Sequence, residues 1–106
     1  MRIVYTWSAR QDLRDIYEYI AFTLAAPDTA RSLTETIMER IRALEINPER
    51  NPLYKEEPWH SKGIRFLPVK NYLVFYTLLP TEETVSVVRI LYGGRDIRRQ
   101  MEETIE

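Results

Sequence analysis

The sequence predicts an α+β fold: an N-terminal strand, an α-helical hairpin packed on a small antiparallel sheet, and a short C-terminal helix. Three observations predict it. Apolar residues recur at helical spacing on both sides of Pro27, and the rhythm then changes to three β-rich runs with turn-length breaks. Asp96, a residue type that caps helices, follows the last run. Helical stretches followed by consecutive strands, rather than alternation of the two, suit a layer of helices covering one sheet face.

Taken in order, "RIVYTW" (2–7) is β-branched and aromatic and reads as a strand. Ser8 with Gln11 matches a capping box, and the helix it would open carries Leu13, Ile16, Tyr17, Ile20 and Leu24 on one stripe. "AAPD" (25–28) breaks that helix, because Pro27 lacks an N–H and restricts Ala26. A second helix follows with Ala30, Leu33, Ile37, Ile41 and Leu44 on one face, and it stops at Asn47-Pro48. Residues 47–61 carry three prolines and no period, so they form a long loop. Strands are expected at 62–69, 72–79 and 84–92, joined by "KN" and "PTEE" in a meander, with the first strand at one edge. Asp96 then caps a helix beginning "IRRQMEETI".

At 106 residues the chain is expected to be one domain, 1–106, long enough to bury one core. Its 44% hydrophobic and 29% charged residues are those of a globular protein. With no cysteine and a single histidine, His60, neither a thiolate nor a histidine-cluster metal site is expected, and no cofactor motif is present. The "MRIVYTWSARQDL" start lacks the apolar stretch of a signal peptide, and "YLVFYTLLP" is less than half a membrane span. A cytoplasmic protein is the expectation. A net charge of −1 argues against coating nucleic acid by bulk charge, but residues 62–99 hold seven basic residues against three acidic ones.

That local charge directs attention to "VVRILYGGRDIRR" (87–99). Helices cover only one face of a sheet, so the other face is expected to carry a site built from Arg65, Tyr72, Tyr76, Arg89 and Tyr92, with Arg95 just beyond. Guanidinium forks bind phosphate or carboxylate, and phenols add stacking and a hydroxyl. The plainer alternatives are an Arg89–Asp96 ion pair, tyrosines that belong to the core, and Arg98 and Arg99 solvated near Asp96 and Glu102. Glu57, in the loop "KEEPWH", is a candidate general base, against the alternative of a solvated loop anchored by Trp59. Gly93 and Gly94 are too few for a phosphate loop and are expected to let the chain turn off the sheet at a junction with Asp96.

The stretches "SARQDLRDIYEYIA", "GIRFLPVKNYLVFYTL" and "VVRILYGGRDI" resemble the RelE/ParE superfamily of toxins from type II toxin–antitoxin modules. The resemblance spans nearly the whole chain and implies the fold already derived. It also implies a cognate antitoxin partner, often acidic, with Tyr72, Tyr76, Arg95, Arg98 and Arg99 as partner-binding residues. Superfamily members divide by target. One branch cuts messenger RNA at the ribosome, and the ParE-like branch inhibits DNA gyrase. Two departures from the ribonuclease pattern favour the second: Leu73 stands where that branch often has arginine, and Tyr92 is followed by "GGRDIRRQMEETIE". The ending resembles the "RILHG-RD" of ParE-like toxins, with Tyr92 in place of the histidine. A gyrase-blocking toxin is therefore the expected function. The alternatives are a ribosome-dependent endonuclease acting through Arg65, Arg89, Tyr92 and Glu57, and a non-toxic relative that retains only antitoxin binding.

Overall fold

The computed structural model describes residues 1–94 and 96–103. Arg95, expected to bind a partner, lies outside the described residues. Strand β1 (Arg2–Tyr5) leads into helix α1 (Trp7–Glu18), a π-turn (Tyr19–Thr23) and helix α2 (Pro27–Arg42). After the long loop come β2 (Arg65–Val69), β3 (Tyr72–Leu79), β4 (Thr84–Tyr92) and helix α3 (Ile97–Glu102). The sheet order is β1-β4-β3-β2, with β2-β3-β4 an antiparallel meander and β1 parallel to β4. The sheet is therefore mixed, because β1 returns to β4 across the helical hairpin.

Local chemistry sets the element ends. Thr6, not Ser8, caps α1: its Oγ1 accepts from the Ala9 N–H at 3.1 Å, while Ser8 is already inside the helix and buried. Thr6 also donates to the Val88 carbonyl at 2.9 Å, which fixes the helix start to the sheet. The π-turn moves the apolar stripe by one residue. Leu24 N–H donates to the Tyr19 carbonyl, five residues back, so Ala21 is buried and Leu24, expected inside, is 54% exposed. Pro27 opens α2 at a position where its missing N–H costs nothing. Full burial of Ile37 and Ile41 is worth about 1.5–3 kcal/mol each, against a few tenths for helix propensity, so the apolar stripe decides how α2 lies.

A β-bulge organises β4. Phe75 pairs with Arg89 and Tyr76 with Val87, leaving Val88 as an extra residue. Val85, Val87 and Ile90 consequently pack in the helix-facing core, where strict alternation from Val87 would have placed Arg89. The opposite face is not uncovered. Trp59, Ile64, Phe75, Val88, Leu91 and Met101 form a second core, roofed by the long loop and by α3. Tyr54 stands edge-on to Phe75 at 5.2 Å, and the loop is stitched down by the Tyr54 N–H donating to the Ile64 carbonyl at 2.7 Å.

Candidate functional site

The candidate residues separate into different surroundings. Arg89 is bound on three sides. Its Nε and Nη2 donate to the two carboxylate oxygens of Asp12 at 2.7 and 2.9 Å, and its Nη1 donates to the Gln100 carbonyl of α3 at 2.9 Å. The partner is Asp12, not the Asp96 of the ion-pair alternative. The reason lies in the sheet: β1 stops pairing at Tyr5–Val87, so the far edge of β4 is open beyond that point. Asp12 fills the gap, accepting also from the Ile90 N–H at 2.9 Å. It satisfies a strand edge and an arginine with one carboxylate, and both side chains are only about one-eighth exposed.

Arg65 lies on the edge strand β2, level with Tyr76, and its Nη1 donates to the carbonyls of Asn51 (2.6 Å) and Glu49 (3.3 Å). Tyr92 pairs with Tyr72, four residues away along β3, or about 13 Å at 3.3 Å per residue. Arg65 and Tyr92 thus stand at different levels of the sheet. Tyr76, expected on the partner surface, is fully buried in the helix-facing core. Its hydroxyl donates to the Pro48 carbonyl at 2.6 Å and accepts from the Asn51 amide at 3.1 Å, and burial raises its pKa. Glu57 is tied within its loop, accepting from Ser61 Oγ at 2.8 Å and Ser61 N–H at 3.0 Å. Those bonds, the hydroxyl's first, lower its pKa and make it a weaker base.

Two arginines of the basic stretch, Arg89 and Arg98, are ion-paired within the fold. Arg98 sits 5.4 Å over the Trp59 ring and pairs with Glu56 (3.4 Å) and Glu102 (3.5 Å). Asp96 caps α3 by accepting from the Arg99 N–H at 3.2 Å. Arg99 and Lys70 are exposed and have no ion-pair partner among the described residues. The glycines serve close approach rather than a left-handed turn. A Cβ on Gly94 would stand 2.6 Å from the Tyr92 ring, and one on Gly93 would stand 3.3 Å from the Asn71 carbonyl.

Two grooves flank α1; the first was not expected from the sequence, and the second gathers three of the expected residues, Tyr72, Arg89 and Tyr92. The first, about 430 Å³, lies between the helices, with Tyr5, Leu13, Tyr17 and Met38 as its apolar wall and Arg10 and Arg14 as its charged residues. The second, about 660 Å³, lies between α1 and the end of the sheet, with Asp12, Asp15, Tyr19, Tyr72, Arg89 and Tyr92 among its lining. Tyr72 and Tyr92 meet edge-to-face there at 5.6 Å. The available signal was the i, i+3, i+4, i+7 spacing read from both flanks: Arg10, Leu13, Arg14, Tyr17 and Asp12, Asp15, Ile16, Tyr19. No helix among the described residues is long and apolar enough to cross a membrane, and none of their acidic and histidine side chains groups as a metal site.

Comparison with solved structures shows the same fold in three toxins or toxin complexes. The chromosomal ParDE toxin–antitoxin system from P. aeruginosa matches with a TM-score of 0.71 at 21% identity, covering 87% of this chain and 95% of that one. The RelBE2 toxin–antitoxin complex from Mycobacterium tuberculosis matches with a TM-score of 0.61 at 18% identity, over 86% and 95% of the two chains. The isolated E. coli RelE toxin matches with a TM-score of 0.60 at 12% identity, over 95% and 93%. Comparison with curated proteins gives no match. The family model for the ParE toxin of the type II toxin–antitoxin system parDE matches residues 3–97. With that match over nearly its whole length, the chain belongs to the ParE toxin family, within the RelE/ParE superfamily of type II toxin–antitoxin toxins.

Proposed function

We propose that this toxin acts in the cytoplasm, is silenced by an acidic antitoxin, and when free arrests growth by binding and blocking DNA gyrase without chemistry of its own. The observation that carries the non-enzymatic reading is the dispersal of the candidate reaction groups. Arg89 is held by Asp12 and Gln100, Arg65 donates through Nη1 to two loop carbonyls, and Glu57 accepts from Ser61. A phosphoryl-transfer centre needs its donors and its base aimed at one position. The antitoxin reading draws on the groove between the helices, whose apolar wall and arginines suit an acidic amphipathic segment. It also draws on the solved neighbours that are toxin–antitoxin systems.

A second reading, a ribosome-dependent endonuclease, draws on Tyr92. The residue is 44% exposed and shares a groove with Tyr72 and Arg89. A short induced pulse of the toxin, with DNA and protein synthesis followed in the same culture, separates the two. DNA synthesis falling first is the expected result; protein synthesis falling first would transfer the case to the endonuclease. If neither falls while the protein is soluble, the chain is a non-toxic relative. Deleting the chain from Ile97 onward is a poor substitute for that test, because it strips Met101 from the second core. Charge reversal at exposed Arg99 leaves that core intact.

A further inference from the structure

We propose that the groove between α1 and the end of the sheet is a receptor for a basic side chain, an arginine or lysine carried on an apolar segment of a protein partner. The inference does not depend on which macromolecule the toxin arrests.

Aromatic rings and charge together specify the occupant. Ile16, Ile90 and Leu91 contribute apolar lining, and Tyr19, Tyr72 and Tyr92 contribute rings. Tyr19 and Tyr92 are 54% and 44% exposed, a large aromatic area to leave facing water. The π-turn begins at Tyr19, and the Gly94 backbone lies close against the Tyr92 ring, where a Cβ would not fit.

Arg89, the groove's one cation among the described residues, is matched by Asp12. Asp15 is not matched: its carboxylate accepts only from the neutral Gln11 amide at 3.1 Å, with no ion pair among the described residues. The described lining thus carries two carboxylates against one guanidinium. Tyrosine faces beside an unneutralised carboxylate attract a cation, with Coulomb and quadrupole terms of the same sign. The same lining disfavours a phosphate chain, because a single-strand site needs cations along its backbone track. About 660 Å³ exceeds what one side chain fills, which leaves room for its apolar neighbours.

The test is a titration of the full-length toxin followed by the ring resonances of Tyr19, Tyr72 and Tyr92. The probes are acetyl-Leu-Arg-Leu-amide, its Leu-Glu-Leu counterpart and a thymidine hexanucleotide, at low salt. The arginine peptide is expected to move all three rings with an affinity in the millimolar range. The glutamate peptide is expected to bind on the order of fivefold more weakly, and Asp15→Asn to weaken the arginine peptide by a similar factor. Asp15 is exposed, so this variant folds; Tyr92→Leu supplies a second variant with the same expected loss. Equal or tighter binding of the glutamate peptide would overturn the proposal. So would ring shifts with the oligonucleotide alone, or still rings at ~20 mM arginine peptide.

Discussion

The two flanks of α1 differ in charge although they belong to one helix. On one flank Arg10 and Arg14 rim an apolar groove against α2; on the other Asp12 and Asp15 face the end of the sheet with three tyrosines. The carboxylates themselves divide. Asp12 is structural, completing a strand edge and holding Arg89, whereas the Asp15 carboxylate accepts from the Gln11 amide and has no ion pair among the described residues. One helix can therefore present a cationic surface to one partner and an anionic one to another, while the whole chain carries a formal charge of only −1. A whole-chain charge says little about either surface.

The largest expected effect tests the division between the carboxylates. Asp12→Ala should cost about 3 kcal/mol in urea unfolding, because it strands Arg89 and the Ile90 N–H together, whereas Asp15→Ala should stay within about 0.5 kcal/mol. Equal losses would erase the distinction. Next comes the cationic flank. Reversing Arg10 and Arg14 together to glutamate should weaken the antitoxin complex about tenfold by calorimetry at physiological salt, with a flatter salt dependence. An unchanged affinity would move the antitoxin off that groove.

Tyrosines give a smaller contrast. Tyr76→Phe removes a buried hydroxyl bonded to Pro48 and Asn51 and should cost about 1 kcal/mol, while Tyr92→Phe should leave stability within about 0.5 kcal/mol. The smallest effect belongs to Glu57. Its folded pKa is lowered by the Ser61 hydrogen bonds, so its contribution is present above the ordinary carboxylate range and lost as pH falls through the lowered value. Wild type should be slightly more stable than Glu57→Gln at neutral pH, with the gap closing in acid. A gap that widened in acid would contradict this assignment.

Where sequence reasoning failed, it failed at contacts between residues far apart in the chain. Strands at 72–79 and 84–92 and the cap at Asp96 were legible because hydrophobic period and capping chemistry are local. Arg89 was legible as unusual but not as Asp12's partner, since 77 residues separate them and the bulge at Val88 leaves no mark in the alternation. Tyr76 looked like a surface residue because a tyrosine at period two reads alike on either face; the Pro48 carbonyl and Asn51 amide that make its burial tolerable come from the loop. The second sheet face looked open because a loop with three prolines gives no periodic sign that Trp59 and Tyr54 will roof it.

The sequence by itself determined the order of elements, the fold class and the resemblance to the superfamily, because each rests on patterns within a few turns of helix or strand. Only the tertiary structure decided which charges are spent and which are offered. An arginine's availability depends on the carboxylates and carbonyls that folding brings within about 3.5 Å; for Arg89 and Arg65 those partners come from other elements, and Arg98 takes Glu56 from the loop and Glu102 from its own helix. Arg89, Arg65 and Tyr76, which stood out in the chain, are held by partners within the fold, whereas Tyr72 and Tyr92 line a groove. Both grooves run along the flanks of its first helix.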